Sequence, residues 1–287
     1  MTAEFGSAWS AARRQGSETE LLRWLELAMA MCDAADEVAR AHFRRDLVIE
    51  TKPDRTFVTQ ADQAIERLLR ERILEAFPGH GLVGEEYGVE HGEASVRWYI
   101  DPIDGTHNFI RGVPLFGTLL GVERDGELQV GVMSAPAMRE RWFAWRGGGA
   151  WSRGLDGERP IRTSAVTSLE DAQVLYGSAG ETRRSGFFPG FDVLVDGAWR
   201  ERGFGDFWGY ALVAEGAAEV MLETGMSSWD LAAPLVIIEE AGGRVTDAFG
   251  ERRIDAESFV GSNGPLHETI LVTLRGSVPT SPRDPGP

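Results

Sequence analysis

WYIDPIDGTHNF, residues 98–109, is the stretch on which the reading of this chain turns. The apolar run Trp98-Tyr99-Ile100 leads straight into Asp101, and Asp104 follows within the same turn of sequence. An ordinary turn needs one Asp or Asn and a Gly, and a second carboxylate adds repulsion that something must offset. In Asp101-Pro102-Ile103-Asp104 the proline fixes one dihedral and predicts a turn, bringing the two aspartates within about 7 Å. The Ile103 carbonyl can then point the same way as both carboxylates. Several carboxylate oxygens and a backbone carbonyl, completed by water, suit Mg²⁺. A divalent cation would supply the missing compensation. Gly105, Thr106 and their neighbours offer free N–H groups at a helix start, a seat for an anion.

Outward from this stretch, further carboxylates interrupt apolar or glycine-rich contexts. They are Asp62 in Thr59-Gln60-Ala61-Asp62, Glu85 and Glu86 after Gly84, and Asp230 in Ser228-Trp229-Asp230. Each falls at the end of an expected element, where side chains from distant segments converge on a cleft. Singly, Asp62 and Asp230 read as helix caps and Glu85-Glu86 as a solvated loop. The spacing does not fit an EF-hand loop.

Periodicity gives the elements. Leu21, Leu22, Leu25, Met29, Cys32, Ala35, Val38 and Ala39 recur at helical spacing over 17–43, and a second helix is expected over 59–77, stopped by Pro78-Gly79. Strands are expected at 96–100, 115–123, 127–133 and 140–145, with a hairpin at Asp125-Gly126. The first half thus reads as two helices covering an antiparallel sheet. The second half alternates: strands at 172–177, 218–223 and 258–261, and helices near 180–188, 206–216, 228–241 and 267–275. The expected organisation is a flexible N-terminus over 1–17, an α+β half over 18–155, an α/β half over 156–275 and a disordered tail over 276–287.

Composition narrows the function classes. The chain has 287 residues, 43% of them hydrophobic, and a net charge of −16 from 29 Lys plus Arg against 45 Asp plus Glu. That balance argues against a nucleic-acid partner, which needs clustered basic side chains. It also means that an anionic substrate needs a cation from outside the sequence. The single cysteine, Cys32, lies on the helical stripe and reads as core. No signal-peptide pattern or membrane-length apolar run is present, so a cytoplasmic protein is expected.

Gly84-Glu85-Glu86, the stretch 98–109, and Trp229-Asp230-Leu231-Ala232-Ala233-Pro234 with Glu240-Ala241-Gly242-Gly243 together resemble the signature segments of the inositol monophosphatase family, in the right order over about 20–275. The resemblance implies a layered αβαβα fold, combining α+β and α/β halves. It also implies Mg²⁺-dependent hydrolysis of a small phosphate monoester, with two or three metals per site and Mn²⁺ as a substitute. Carried over by position, it implies that Glu85, Asp101 and the Ile103 carbonyl hold one metal. Asp101, Asp104 and Asp230 hold a second, while Thr106, with Asp62 behind it and Glu85 nearby, orients the attacking water. A homodimer is the expected assembly.

Substrate choice is expected to rest on Arg202-Gly203-Phe204-Gly205-Asp206-Phe207-Trp208-Gly209-Tyr210. Asp206 stands at a helix start, where it is either a cap or a carboxylate for a cationic substrate group, with Phe207 or Trp208 flanking a flat ring. This pattern resembles the histidinol-phosphate phosphatase branch of the family. It implies a substrate pocket of Gly105, Thr106, Arg202, Gly205, Asp206, Glu223 and Asp230, with Asp206 and Glu223 as the acidic pair. His107 departs from the Lys or Thr usual in the motif and reads as a surface or supporting group. The alternatives are an inositol-1-phosphatase or broad sugar-phosphate phosphatase, which would differ only near Asp206, and, remotely, a silent scaffold.

Overall fold

The computed structural model describes residues 19–52 and 56–276. The expected flexible N-terminus, and the tail beyond Gly276, lie outside the described residues. Helix α1 spans Thr19–His42, and its stripe Leu22, Leu25, Met29, Cys32, Ala35 and Ala39 is buried. A short hairpin, β1 (Ile49–Thr51) and β2 (Phe57–Thr59), leads into α2 (Gln60–Ala76). The start of α2 is a capping box between Thr59 and Asp62.

An eight-stranded mixed sheet follows. Its strands are β3 (Gly81–Gly84), β4 (Gly88–Glu90), β5 (Val96–Asp104), β6 (Gly117–Arg124), β7 (Glu127–Ala135), β8 (Glu140–Trp145), β9 (Gly149–Gly154) and β10 (Gly157–Ile161), in the order β10-β9-β8-β7-β6-β5-β3-β4. The short helix α3 (Thr106–Ile110) interrupts it after β5. The hairpin expected at Asp125-Gly126 joins β6 to β7, with both residues at positive φ (53° and 86°) as a type I′ turn requires. The sheet is not purely antiparallel, since β3 pairs with β5 in parallel.

The second sheet holds β11 (Gln173–Tyr176), β12 (Arg200–Arg202), β13 (Val220–Thr224), β14 (Arg244–Thr246) and β15 (Ser258–Ser262), in the order β12-β11-β13-β15-β14. The helices are α4 (Ala179–Ser185), α5 (Phe191–Gly197), α6 (Phe207–Ala214), α7 (Ser228–Glu240) and α8 (His267–Leu274).

Alternation along the strands sorts these elements into layers. Trp98, Ile100, Leu120, Val122, Val130 and Val132 face α1 and α2. Tyr99, Leu119 and Met133 face the opposite way, onto α6 and α7, which in turn cover Leu175, Met221 and Phe259 of the small sheet. The outer face of that sheet, Val174, Val220, Leu222 and Val260, packs under α5 and α8 through Phe191, Leu194, Ile270 and Leu271. The result is the expected αβαβα order. Helix α7 reaches the large sheet through small residues: a Cβ on Gly121 would lie 2.5 Å from Ala232 Cβ, and one on Gly131 2.5 Å from the Ala233 carbonyl oxygen. No described helix is long and apolar enough to cross a membrane.

Candidate active site

Four element ends meet beside the middle helical layer. Strand β5 does not turn at Pro102, as the sequence suggested; it runs through to Asp104 with a register shift against β6 between Asp101 and Asp104. The shift is a bulge, and bulges re-aim side chains. It brings Asp101 and Asp104 toward Asp230, in the first turn of α7, with one ligand oxygen from each lying within 4.8 Å of the others. Asp101 is 2% exposed and Asp104 9%. Burial raises both carboxyls well above the usual range, and neighbouring carboxylates raise them further: Glu85, Asp104, Asp230 and Asp62 around Asp101, and Asp206, Asp230 and Glu223 around Asp104. Burial pushes Asp230 up to about 7 against the backbone bond from Ser227.

The donor set fits a hard divalent cation. Among the described residues, Asp101 Oδ1 is the one buried side-chain polar atom without a hydrogen-bond partner. Such an atom is costly unless something else binds it. A positive charge between them would relieve the repulsion among three carboxylates this close, two of them buried, and all the candidate ligands are oxygens, as Mg²⁺ or Ca²⁺ would require.

The predicted water-orienting pair sits at the same place. Thr106 Oγ1 lies 2.9 Å from the Ile103 carbonyl oxygen and 3.4 Å from Asp62 Oδ1. The other oxygen of Asp62 accepts from Thr59 N at 2.9 Å and Thr59 Oγ1 at 2.5 Å. Asp62 is thus both a cap and a partner of Thr106. Burial lifts its carboxyl to about 6.

Glu85 stands apart from the close aspartate trio and is held by Lys52, the only lysine in the chain. Lys52 Nζ lies 2.8 Å from Glu85 Oε1 and 2.8 Å from Glu86 Oε1. Behind the loop, the fully buried Glu66 accepts from Glu86 N at 2.6 Å, Tyr87 N at 3.2 Å and Arg70 Nε at 2.8 Å. Sequence reading missed Lys52, Glu66 and Arg70. The uniqueness of Lys52 was an available signal, whereas Glu66 and Arg70 look like an ordinary solvent-facing helical pair.

On the far side of the trio, Phe207 N donates to Asp104 Oδ2 at 2.7 Å. Asp206 does not cap α6: its side chain makes no cap bond, and its backbone is at φ 59°, ψ −164°, a region normally left to glycine. Its carboxylate instead accepts from Asn108 Nδ2 at 2.9 Å, and its N–H lies 3.4 Å from Glu223 Oε1. Glu223 also takes a hydrogen bond from the buried Tyr210 hydroxyl. Burial and Asp206 raise Glu223 to about 8. Gly205 is required by space, since a Cβ there would lie 2.7 Å from Gly177 Cα.

Of the two aromatics expected to flank a substrate ring, one needs correction. Phe207 is fully buried against Trp142 (ring centroids 6.0 Å apart) and cannot flank a ligand, because the strained Asp206 backbone turns the next side chain inward. Trp208, paired with Phe204 at 4.8 Å, is the half-buried aromatic beside Asp206. Arg202 ends edge strand β12 and donates to the Glu201 carbonyl oxygen; no bond joins it to the other candidate residues. His107 is exposed and packs edge-on to Phe57, as a supporting surface group would.

A five-layer αβαβα core with a carboxylate trio at its element ends is the arrangement that the family resemblance implied. The Inositol monophosphatase family model matches residues 20–278, and the chain belongs to that family. It is a phosphoric monoester hydrolase. The chain is 44% identical over 253 residues to a histidinol-phosphatase of Mycobacterium tuberculosis, covering 87% of this chain and 97% of that one. It is 35% identical to a fructose-1,6-bisphosphatase/inositol-1-monophosphatase of Aquifex aeolicus, covering 88% and 95%. Among solved structures it resembles an IMPase of Thermotoga maritima with a TM-score of 0.80 at 30% identity, over 88% of this chain and 97% of that one.

Proposed function

We propose that this protein hydrolyses L-histidinol phosphate to L-histidinol and phosphate, with Mg²⁺ as its metal and Mn²⁺ as a substitute. The observation carrying the metal is the trio of buried Asp101 and Asp104 with half-buried Asp230, and its unpartnered Asp101 oxygen. Asp101, Asp104 and Asp230 would hold Mg²⁺, joined by the Ile103 carbonyl and by Glu85 from across the Lys52 pair. A divalent cation held there would supply a lowered pKa for a water and neutralisation of the phosphate and leaving-oxygen charge. It also supplies the cation that a chain of net charge −16 lacks for an anionic substrate.

The remaining roles belong to the chain's own groups. Thr106 directs its hydroxyl hydrogen to Asp62 or Ile103 and leaves a lone pair to fix the direction of the attacking water. Asp62 Oδ1, at 3.4 Å, is the second acceptor for that hydroxyl beside the nearer Ile103 carbonyl oxygen at 2.9 Å. Gly105 and Thr106 present backbone N–H groups to the phosphate. Asp206 and Glu223 form the acidic wall for the substrate's ammonium or imidazole. The support for this part is the Asp206 carboxylate, which leaves its helix end uncapped and lies beside Glu223.

A phosphate-release panel with histidinol phosphate, inositol-1-phosphate, fructose-1,6-bisphosphate and 3′-phosphoadenosine phosphate tests the substrate. Histidinol phosphate should give the highest kcat/KM, and Asp206→Asn should penalise it roughly ten- to a hundredfold relative to inositol-1-phosphate, the range expected for a charge-assisted hydrogen bond. A preference for inositol-1-phosphate, or a parallel loss on both substrates, would overturn the histidinol assignment and leave the phosphatase standing.

A further inference from the structure

Asp206 is held in an unfavourable backbone conformation, at φ 59° and ψ −164°, and its side chain makes no bond to its own helix. Its carboxylate is held from α3. Asn108 Nδ2 lies 2.9 Å from Asp206 Oδ2, joining residues 98 positions apart. A Cβ on Gly105, at the start of the same helix, would lie 3.4 Å from that oxygen, so the carboxylate passes close to the start of α3 as well. The other oxygen, Oδ1, takes no hydrogen bond among the described residues. On the opposite side, Glu223 lies within 3.4 Å of the Asp206 N–H and is itself fixed by Tyr210.

Burial works against an ionised Asp206 while His107 nearby favours it, and Asp206 and Glu223 side by side repel, which raises the Glu223 carboxyl. Left alone, the carboxylate would turn to solvent or to the free N–H groups at the start of α6. An amide is well suited to prevent that. It donates to one oxygen, adds no charge to cancel Asp206, and leaves the second oxygen open to a ligand. The amide also stands on the helix that starts with Gly105 and Thr106, so the group orienting the acid and the groups facing the phosphate move as one body.

We propose that Asn108 is a positioning residue for substrate choice: its amide aims the Asp206 carboxylate at a cationic substrate group, at a fixed distance from the phosphate. The proposal rests on the assignment of Asp206 to the substrate pocket. Asn108 touches neither substrate nor metal in this scheme and acts through Asp206.

A double-mutant cycle tests it. Specificity constants are measured with Mg²⁺ for histidinol phosphate and for the uncharged-alcohol ester inositol-1-phosphate, on wild type, Asn108→Ala, Asp206→Asn and the pair, with melting temperatures as a check on folding. Asn108→Ala should lower the ratio of the two constants about tenfold, chiefly through the KM for histidinol phosphate, and should add nothing on the Asp206→Asn background. A ratio unchanged by Asn108→Ala, or an effect fully additive with Asp206→Asn, overturns the proposal. If Asp206→Asn itself leaves the ratio unchanged, the pocket assignment fails instead. Should Asn108→Ala not fold, Asn108→Ser is read against the same criteria.

Discussion

The Asp104 carboxylate accepts the Phe207 backbone N–H at 2.7 Å, joining the end of β5 to the first turn of α6 across 103 residues. The bond uses one of the N–H groups that a helix start leaves free, and it leaves the other Asp104 oxygen for the trio. It also explains why the residue before it is strained. Asp206 takes a glycine-like conformation so that Phe207 can place its N–H on Asp104 and its ring against Trp142 at once. The metal-facing and substrate-facing sides of the site are thereby one rigid arrangement.

Thr106 gives the first prediction. Thr106→Val keeps the shape but removes the hydroxyl seated between Ile103 and Asp62. Turnover should fall by about 10², with KM for substrate little changed, because positioning a nucleophile acts on the transition state. Steady-state kinetics decide: an unchanged kcat with a raised KM would make Thr106 a binding residue.

Glu66 gives the second, although it touches no ligand. Glu66→Ala strands the Glu86 and Tyr87 N–H groups and leaves Arg70 without its buried partner. Breaking one side of a buried pair costs roughly 3–5 kcal/mol. The melting temperature should drop by several degrees, and metal affinity should weaken because the Glu85-Glu86 turn loses its anchor. Glu66→Gln should recover part of both. A wild-type melting temperature in Glu66→Ala would contradict the account of this loop.

His267 gives a pH prediction away from the site. The buried imidazole is bonded on both nitrogens, to Thr246 Oγ1 at 3.0 Å and Ser262 Oγ at 2.8 Å. Burial, with Arg244 nearby, lowers its pKa from 6.5 to about 4. The unfolded chain therefore takes up a proton below pH 6.5 while the folded chain does not. This costs no stability at pH 7.5 and above, and a growing amount as pH falls from 6.5 to 4, reaching at most about 3 kcal/mol. Urea unfolding of wild type and His267→Gln across that window should show the wild type losing more stability toward acid. Parallel pH profiles would contradict it.

The fold was legible where periodicity is long. Helices α1, α2, α7 and α8 lie within two residues of their expected bounds, and the Asp125-Gly126 hairpin is where its turn residues required. Strands β3, β4, β12 and β14, of three or four residues, and the β1–β2 hairpin gave too short a pattern to read. The turn expected at Pro102 is a bulge because pairing with β6 holds the chain extended on both sides of it. In the site, the family motif located the trio and the Thr106–Asp62 pair. What it could not convey were the partners set by backbone geometry: Lys52 on Glu85, Glu66 behind the loop, and the inward turn of Phe207 that follows from a positive φ at Asp206.

If Asp101, Asp104 and Asp230 hold the catalytic metal, phosphate release from histidinol phosphate depends on it. The rate is measured at saturating Mg²⁺, and again with excess chelator, for wild type and Asp104→Asn. Wild type should turn over only with Mg²⁺, and folded Asp104→Asn, which lacks one charge of the trio, should be slower by ~10² or more. Wild-type release that survives chelation, or near-normal turnover by Asp104→Asn at saturating Mg²⁺, would contradict the metal assignment.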